Sequence, residues 1–399
     1  MQTISRCSLF AIVLLFAVYP FSLIAFEDNY TLEFEARSYP NISGDSSQFD
    51  DNSAASFEPE FKQSFNNDKT ISIFTVFGRW DSRDPMRRHS DIREMHLLHA
   101  AGSWETLIGF SRVFWGVTES NHLVDIVNQT DALEGFDGED KLGQAMIRLS
   151  RSFEQSTLTL FALPGFRERE FLSSDNPLAL PFAINNDPLY DSPDGKDHVD
   201  YAVRFSGYRG IVDYGLSWFS GTSRQPDFVP GDDGRLIPFY AQIDQLGLDL
   251  QITSDAWLWK LETIRRQFDN DTSGEDFTAA VGGLEYSFFG VADGLYDLGL
   301  LAEYHYDSRG DVSTVPFQDD LFLGLRFGFT DTESSEILAG TIIDQEDQTT
   351  SFRIEASRRV FTDARINLEG QVFNNVDPDN AISYLRDSDF LRLSLELYF

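Results

Sequence analysis

Residues 391–399 read LRLSLELYF, and this stretch decides the fold class. Leucine or phenylalanine occupies every second position, and Arg392, Ser394, Glu396 and Tyr398 lie between them. Because a β-strand places alternate side chains on opposite faces, one face of this segment is apolar and the other is polar. The pattern predicts a strand that separates an apolar medium from a polar one.

The same alternation recurs along the chain, for example in residues 199–206 and 321–329. Segments of about ten residues with this pattern, parted by turn residues, are the signature of a membrane β-barrel. We therefore expect an all-β fold, a transmembrane antiparallel β-barrel of about 18 strands, with 16 strands as the next choice. The candidate strands span residues 29–37, 54–65, 70–83, 90–100, 103–115, 143–152, 156–164, 198–207, 210–221, 238–252, 255–266, 276–288, 295–306, 317–329, 335–345, 348–360, 363–373 and 389–399.

The connections between these strands alternate in length. Residues 101–102 form one of the short ones, and residues 116–142 and 165–197 form two of the long ones. Short periplasmic turns alternating with long external loops are typical of outer-membrane barrels. The short hairpin between Asp344 and Gln348 departs from this rule, which leaves open that a strand there is misassigned.

Residues 1–25 have the features of a signal peptide. Arg6 precedes a long apolar run, and Ala25 is the expected last residue before cleavage. The alternative is a retained membrane helix, although no basic cluster follows the run. Residues 26–399 would then form a single barrel domain, without cysteine, because Cys7 lies in the removed segment.

The composition excludes several classes of function. The formal net charge is −34, whereas binding of nucleic-acid phosphates needs a basic face. No disulfide or thiolate metal site is available, and neither a GxSxG nor an HExxH motif occurs. We therefore expect no nucleic-acid partner, no metal, no cofactor and no enzymatic activity. A barrel hydrolase remains an alternative, because catalytic groups on strands leave faint sequence motifs.

The C-terminal pattern resembles the terminal strand of Gram-negative outer-membrane β-barrels, which ends on an aromatic residue read by the barrel-assembly machinery. Phe399 occupies that position here. The resemblance implies location in the cell outer membrane of a Gram-negative bacterium. It also implies three partners: outer-membrane lipid, lipopolysaccharide and the assembly machinery.

Residues 116–142, which we call loop 3, read GVTESNHLVDIVNQTDALEGFDGEDKL. The apolar stretch Leu123–Val127 could pack against the inner wall, so we expect loop 3 to fold into the lumen as a constriction. The alternative is a solvated acidic surface loop. The candidate constriction residues are Glu119, His122, Asp125, Asp131, Glu134 and Asp137.

By position and length, loop 3 resembles the third external loop of porins, and its Trp115-Gly116 turn followed by Asn128 and Asp131 is similar to substrate-selective porins of proteobacteria. Eighteen-stranded channels for carboxylates and for alginate-like polysaccharide export belong to this broader group. The resemblance implies a porin-like channel for passive, charge-selective diffusion of small hydrophilic solutes, with an anionic solute as the specific expectation. The alternatives are a structural or plugged barrel and a barrel hydrolase.

The inward positions of the expected strands carry charges of both signs. Arginines on the last three strands would form a basic strip, and a strip facing carboxylates creates a transverse field that selects solutes by charge. The alternative is a set of neutralising ion pairs that only stiffen the wall. The candidate pore-lining residues are Arg148, Arg204, Arg326, Arg353, Glu355, Arg365, Glu369, Arg392 and Glu396.

The six tryptophans lie near the ends of the expected strands. Aromatic side chains concentrate at both membrane interfaces, so two belts are expected. Trp104, Trp257 and Trp259 would form the periplasmic belt, and Trp80, Trp115 and Trp218 the outer one.

Overall fold

The structure is a computed structural model and describes residues 27–42, 47–135, 137–270, 274–310, 313 and 316–399. The expected signal peptide, residues 1–25, lies outside these residues. In the described part of the chain, no helix is long and apolar enough to cross a membrane.

The regular secondary structure of the described chain is almost entirely β-strand. Most strands are 8 to 15 residues long, and three short ones lie within long loops. The strands are β1 Glu27–Ser38, β2 Asp51–Phe65, β3 Thr70–Asp81, β4 Ser90–Ala101, β5 Trp104–Ser111, β6 Gln144–Ser152, β7 Ser156–Pro164, β8 Leu189–Tyr190, β9 Val199–Arg209, β10 Val212–Thr222, β11 Asp227–Pro230, β12 Leu236–Tyr240, β13 Gln242–Ser254, β14 Trp257–Phe268, β15 Phe277–Gly290, β16 Tyr296–Asp307, β17 Asp319–Phe329, β18 Glu336–Asp344, β19 Thr350–Phe361, β20 Ala364–Asn374 and β21 Phe390–Tyr398.

Eighteen of these strands form one closed antiparallel sheet. Each pairs with its neighbour in the chain, and β21 pairs with β1 from Leu391 opposite Ser38 to Tyr398 opposite Thr31. Closure leaves no strand edge unpaired, as a sheet in lipid requires. The expected 18-stranded barrel is confirmed, and the choice of 16 strands is wrong. The short strands β8, β11 and β12 make a separate sheet.

The two ends of the barrel differ in their connections. At one end the connections are two to six residues long, and at the other they include residues 112–143 and 165–198. The hairpin after Asp344 belongs to the long-loop end, and its strands β18 and β19 pair in unbroken register. The suspected misassignment is therefore absent, and this external loop is simply short.

The outer face of the barrel is apolar. On β21, Leu391 and Leu393 are each 51% exposed, whereas Ser394 between the outward positions is 3% exposed. The same alternation holds on β9, where Tyr201 is 52% exposed and Ala202 is 1% exposed. Lipid replaces a protein core for the outward set, which explains how a chain with a mean hydropathy of −0.27 can span a membrane.

Five of the six tryptophans are exposed on the outer face, but Trp115 is buried. Its ring packs on Phe161 at 5.7 Å, so its placement in an outer belt is wrong. The chain leaves the wall after β5, and the backbone N–H of Trp115 donates to the carboxylate of Asp125 at 3.2 Å. The Asp125 carboxylate, instead of a carbonyl of a neighbouring strand, therefore accepts the hydrogen bond of this backbone N–H.

The apolar outer face gives a first prediction. Leu395 lies near the middle of β21, so Leu395→Arg should lower the free energy of unfolding by roughly 2–4 kcal/mol, the cost of a cation at the bilayer midplane. Leu391→Arg, at the loop end of the same face, is the matched control and should cost about 0–1 kcal/mol. Urea titration of both variants in lipid vesicles measures the difference, and equal losses would contradict this placement of β21 in the bilayer.

Candidate functional site

The apolar part of loop 3 is buried against the inward face of the wall. Val124 and Val127 are fully buried, and Ile126 is 4% exposed. They belong to one apolar cluster with inward side chains of β5, β6, β7, β9, β10, β13, β14 and β15, including Ile264. Gly247 makes room for this contact, because a Cβ there would lie 3.2 Å from Val124 and 2.5 Å from the Ser217 hydroxyl.

Glu262 of β14 holds the start of loop 3. Its carboxylate is completely buried and accepts hydrogen bonds from the backbone N–H groups of Val117 at 2.7 Å, Thr118 at 3.1 Å and Val124 at 3.1 Å. The Thr118 hydroxyl donates a fourth, at 2.7 Å. A buried carboxylate normally needs such compensation, and here the loop backbone supplies it.

Glu303 of β16 binds the next residues of the loop in a similar way. It accepts from the backbone N–H groups of Glu119 at 2.8 Å and Ser120 at 2.9 Å. The Ser120 hydroxyl also lies 2.9 Å from His305 Nε2. Two wall carboxylates, those of Glu262 and Glu303, therefore fix the path of loop 3.

The acidic part of loop 3 reaches arginines on other strands. These charge-assisted contacts have short distances between nitrogen and oxygen and join the loop to β3, β4 and β19. The pairs are Asp131 with Arg93 at 2.6 Å, Glu134 with Arg79 at 2.6 Å and Asp137 with Arg353 at 2.7 Å.

The loop carboxylates differ in their pKa values. Burial would raise the pKa of Glu134, but a hydrogen bond to His89 and the charges of Arg79 and Arg87 outweigh it and hold that pKa at about 2. Asp140 is in the opposite situation. Although the residue as a whole is exposed, desolvation of its carboxyl, with the charges of Asp137 and other nearby carboxylates, raises its pKa to about 7.

A cavity of about 650 Å³ brings together the arginines of the last strands and the loop carboxylates. Most of the charged groups that line it are ion-paired. Arg326 bonds Glu119 at 2.6 Å, Arg365 bonds Glu336 at 2.8 Å, Arg353 bonds Glu369 at 3.2 Å as well as Glu355, and Arg392 bonds Glu33 at 2.7 Å, Glu35 at 2.9 Å and Glu369 at 3.3 Å.

Three candidate pore-lining residues do not reach this cavity. Arg148 pairs with Glu105 at 2.6 Å, near the short-turn end. Arg204 pairs with Asp249 at 2.9 Å, and its guanidinium lies 5.1 Å from the Trp115 ring centre. Glu396 accepts a hydrogen bond from Asn367 at 3.0 Å.

Three candidate constriction residues, His122, Asp125 and Asp137, line a second cavity of about 380 Å³. Asp125 is buried and pairs with Lys141 at 3.1 Å. Burial raises the pKa of Asp125, and the ion pair with Lys141 lowers it. The effect of burial is larger, so the pKa is raised. His122 lies 3.9 Å from the Glu262 carboxylate, which raises the pKa of the imidazole despite its burial.

The sequence did not identify several partners of loop 3. Arg79 and Arg93 are buried on β3 and β4, and Arg87 donates to the carbonyl oxygen of Leu133 at 2.9 Å. Alternation with the outward Trp80 could have assigned Arg79 to the inner face. Glu262 could be found in the same way from the outward Trp257 and Trp259, but its bonds to loop 3 depend on the path of the loop.

One group of side chains has the geometry of a metal site. His89, Asp131 and Glu134 offer three ligand atoms within 4.8 Å of one another. Both carboxylates are already paired with arginines, Asp131 with Arg93 and Glu134 with Arg79. A cation bound there would have to compete with those guanidinium groups, so the donor set does not fit a resident metal.

No family model matches the sequence, and no curated protein matches it. Solved structures do match. OccAB3 of Acinetobacter baumannii has a TM-score of 0.54 at 9% identity, over 94% of this chain and 99% of that one. OpdQ of Pseudomonas aeruginosa has a TM-score of 0.52 at 11% identity, over 94% and 98%. These two share the fold of this chain over nearly their whole length.

A mutant of the Rh. blastica porin is also similar, with a TM-score of 0.45 at 11% identity, over 94% of this chain and 100% of that chain.

Proposed function

We propose that this protein is a porin-like channel of the Gram-negative outer membrane, through which small hydrophilic solutes diffuse passively. One observation carries the proposal: a closed barrel with an apolar outer face has a charged cavity of about 650 Å³ along its inner wall. An apolar exterior suits lipid, and a charged interior suits water and polar solutes.

We infer that loop 3 is the constriction. It contacts inward side chains of β3, β4, β14, β16, β17 and β19, which lie on different sides of the barrel. A segment with all these contacts has to cross the interior. Its bulk would narrow the path, and its charges would face any solute that passes.

The charge balance argues for a weak cation preference in the larger cavity. Eight carboxylates and six arginines line it. The anion preference that the resemblance implied for the arginines of the last strands therefore has little support there, because their charges are compensated. The opposed walls still make a transverse field that would orient dipolar solutes.

A hydrolase is the weaker candidate. The contact of Ser120 with His305 is the nearest approach to a nucleophile and its base. In such sites a third group orients the histidine. Here His305 Nδ1 is buried and has no hydrogen-bond partner among the described residues, and Ser120 also bonds Glu303. We therefore propose a channel without catalytic activity.

Planar-bilayer recording of the purified, refolded protein tests the proposal. We expect stepwise insertion of discrete ohmic conductances. A heat-denatured sample from the same preparation serves as the control. A barrel that is folded by its heat-modifiable migration in gels, yet gives no conductance, would be structural or plugged and would refute the channel.

Neutralising two wall arginines should change ion selectivity. In Arg353→Gln with Arg365→Gln, the carboxylates that these arginines compensate remain, so the zero-current potential in a salt gradient should shift towards cations. Arg83→Gln with Arg148→Gln is the matched control, because it removes the same two charges outside the cavity. An unchanged potential in the double variant would mean that these arginines only stiffen the wall.

Selectivity should also depend on pH through Asp140. With a pKa of about 7, this carboxyl is neutral below that pH and negative above it. Cation preference should therefore rise between about pH 6 and about pH 8, on either side of that pKa. Asp140→Asn should remove this step and leave the selectivity below it unchanged. A step of the same size in the variant would assign the titration to another group.

A further inference from the structure

The second cavity, of about 380 Å³, lies at the long-loop end of the barrel between loop 3, other external loops and the ends of β14, β15 and β16. Its charged lining is predominantly basic, in a protein whose net charge is −34. The cations are Lys141, Arg169, Arg224, Arg266 and Arg309, and the carboxylates are Asp125, Asp137 and Asp307.

Three of the five cations are compensated by carboxylates. They are Lys141 with Asp125 at 3.1 Å, Arg224 with Asp200 at 2.5 Å and Arg309 with Asp307 at 2.6 Å. The remaining carboxylate of the lining, Asp137, pairs with Arg353. Every carboxylate that lines this cavity is therefore already engaged.

Arg169 and Arg266 are different, because among the described residues they contact only neutral acceptors. Arg169 donates to the side-chain oxygen of Gln129 at 3.3 Å and to the carbonyl oxygen of Arg224 at 3.1 Å. Arg266 donates twice to the side-chain oxygen of Gln245, at 2.9 and 2.7 Å. In the described part of the chain, Nη1 of each makes no hydrogen bond, so each guanidinium keeps donors for a ligand.

The environment of these two arginines makes their charges costly. The guanidinium carbons of Arg266 and Arg309 lie over the same ring, Phe277, at 5.2 and 3.6 Å from its centre, so these two like charges are close enough to repel each other. Arg169 lies in a loop outside the barrel strands, and its burial lowers the pKa of its guanidinium. Asp227 and Asp307 attract the Arg266 charge without direct contact, and neither Arg169 nor Arg266 forms an ion pair with a carboxylate among the described residues. A partly desolvated charge without a direct counter-ion is destabilising, and a bound anion would relieve that cost.

We propose that this cavity binds a doubly charged oxyanion, either a phosphate group or a small dicarboxylate, through Arg169 and Arg266. Two guanidinium groups without an ion-pair partner among the described residues match two negative charges, and their planar forks of N–H donors suit phosphate and carboxylate oxygens. The volume accommodates a small solute. The proposal rests on the proposed channel and specifies it, since the site would collect anions at the external entrance.

Binding is measured on the refolded protein in detergent by calorimetry at about pH 8, where phosphate is a dianion, with inorganic phosphate, succinate and chloride as separate ligands. We expect saturable binding of phosphate or succinate in the presence of excess chloride, and the stronger of the two identifies the ligand class. Arg169→Gln and Arg266→Gln should each weaken binding roughly ten-fold or more, the loss of a charged hydrogen-bond donor.

Arg83→Gln and Arg148→Gln, each made singly, remove the same charge at ion pairs outside the cavity and should leave affinity unchanged. If the glutamine variants fail to fold, the wild-type titration still decides. No preference for either dianion over chloride would overturn the site, as would equal weakening in the control. Conductance without binding refutes only this site, whereas binding without conductance refutes only the channel.

Discussion

Replacing residues 131–140 by the two-residue linker Asn-Gly should raise the single-channel conductance several-fold. The flanking residues Thr130 and Lys141 are antiparallel bridge partners, so a two-residue hairpin turn can join them without strain. The excision keeps the buried residues Val124 and Val127 and the bonds of the loop to Glu262. Only the tip that reaches the opposite wall is lost.

The same excision should change the sign of ion selectivity. It removes the carboxylates that compensate Arg79, Arg93 and Arg353, and with them Asp140, which forms no ion pair among the described residues. Three arginines would then face the lumen with fewer counter-charges, so the channel should become anion-selective. Zero-current potentials in a salt gradient measure this change.

A second variant distinguishes the effect of the size of the loop 3 tip from the effect of its charges. Asp131→Asn, Glu134→Gln and Asp137→Asn together keep the size of the tip and remove its ion pairs. We expect this variant to shift selectivity towards anions with little change in conductance. If neither variant alters conductance or selectivity, the tip of loop 3 lies outside the path of ions and the inferred constriction is wrong.

The alternation of side chains predicts most of the barrel. The strand at residues 156–164 has the same bounds in sequence and structure, because the lipid-facing and inward sets differ sharply in polarity there. Two strands were predicted four residues too long at one end. Residues 112–115 leave the wall because loop 3 side chains bond their backbone, and residues 238–240 belong to β12 of the separate sheet. Both of these stretches are mainly apolar, and periodicity alone cannot distinguish apolar side chains buried in the protein from apolar side chains that face lipid.

The candidate site was predicted less completely. Alternate side chains of a strand point to opposite faces, and this pattern can be read locally. The arginines at positions 353, 365 and 392 could therefore be assigned to the inner face from the sequence. Their partners depend on the course of loop 3, which is set by contacts far apart in the chain, such as Glu262 with Val117. Those contacts have no periodic signature, and a polar residue that pairs across the barrel resembles one that faces water.

Glu262→Ala should release loop 3 from the wall. The change removes the acceptor of three backbone N–H groups, those of Val117, Thr118 and Val124, and of the Thr118 hydroxyl. Each buried donor left without an acceptor costs about 1–3 kcal/mol, which is comparable to the apolar contacts that hold the loop. We expect the loop to leave its position, and not the barrel to unfold, because the strand ladder of β14 is untouched.

Limited proteolysis can detect this release, because Lys141 is the only trypsin site in loop 3. Its side chain is 13% exposed and paired with Asp125, so wild-type protein should resist cleavage there. In Glu262→Ala, trypsin should cut after Lys141, and the open channel should show larger current fluctuations.

Glu262→Gln should lie between the wild type and Glu262→Ala, since its amide keeps one acceptor oxygen but presents a donor where the second carboxylate oxygen stood. Glu105→Gln, which removes an inward carboxylate that does not bond loop 3, is the matched control and should behave as wild type. Resistance to trypsin with quiet current in Glu262→Ala would mean that the apolar cluster around Val124 holds the loop without this carboxylate.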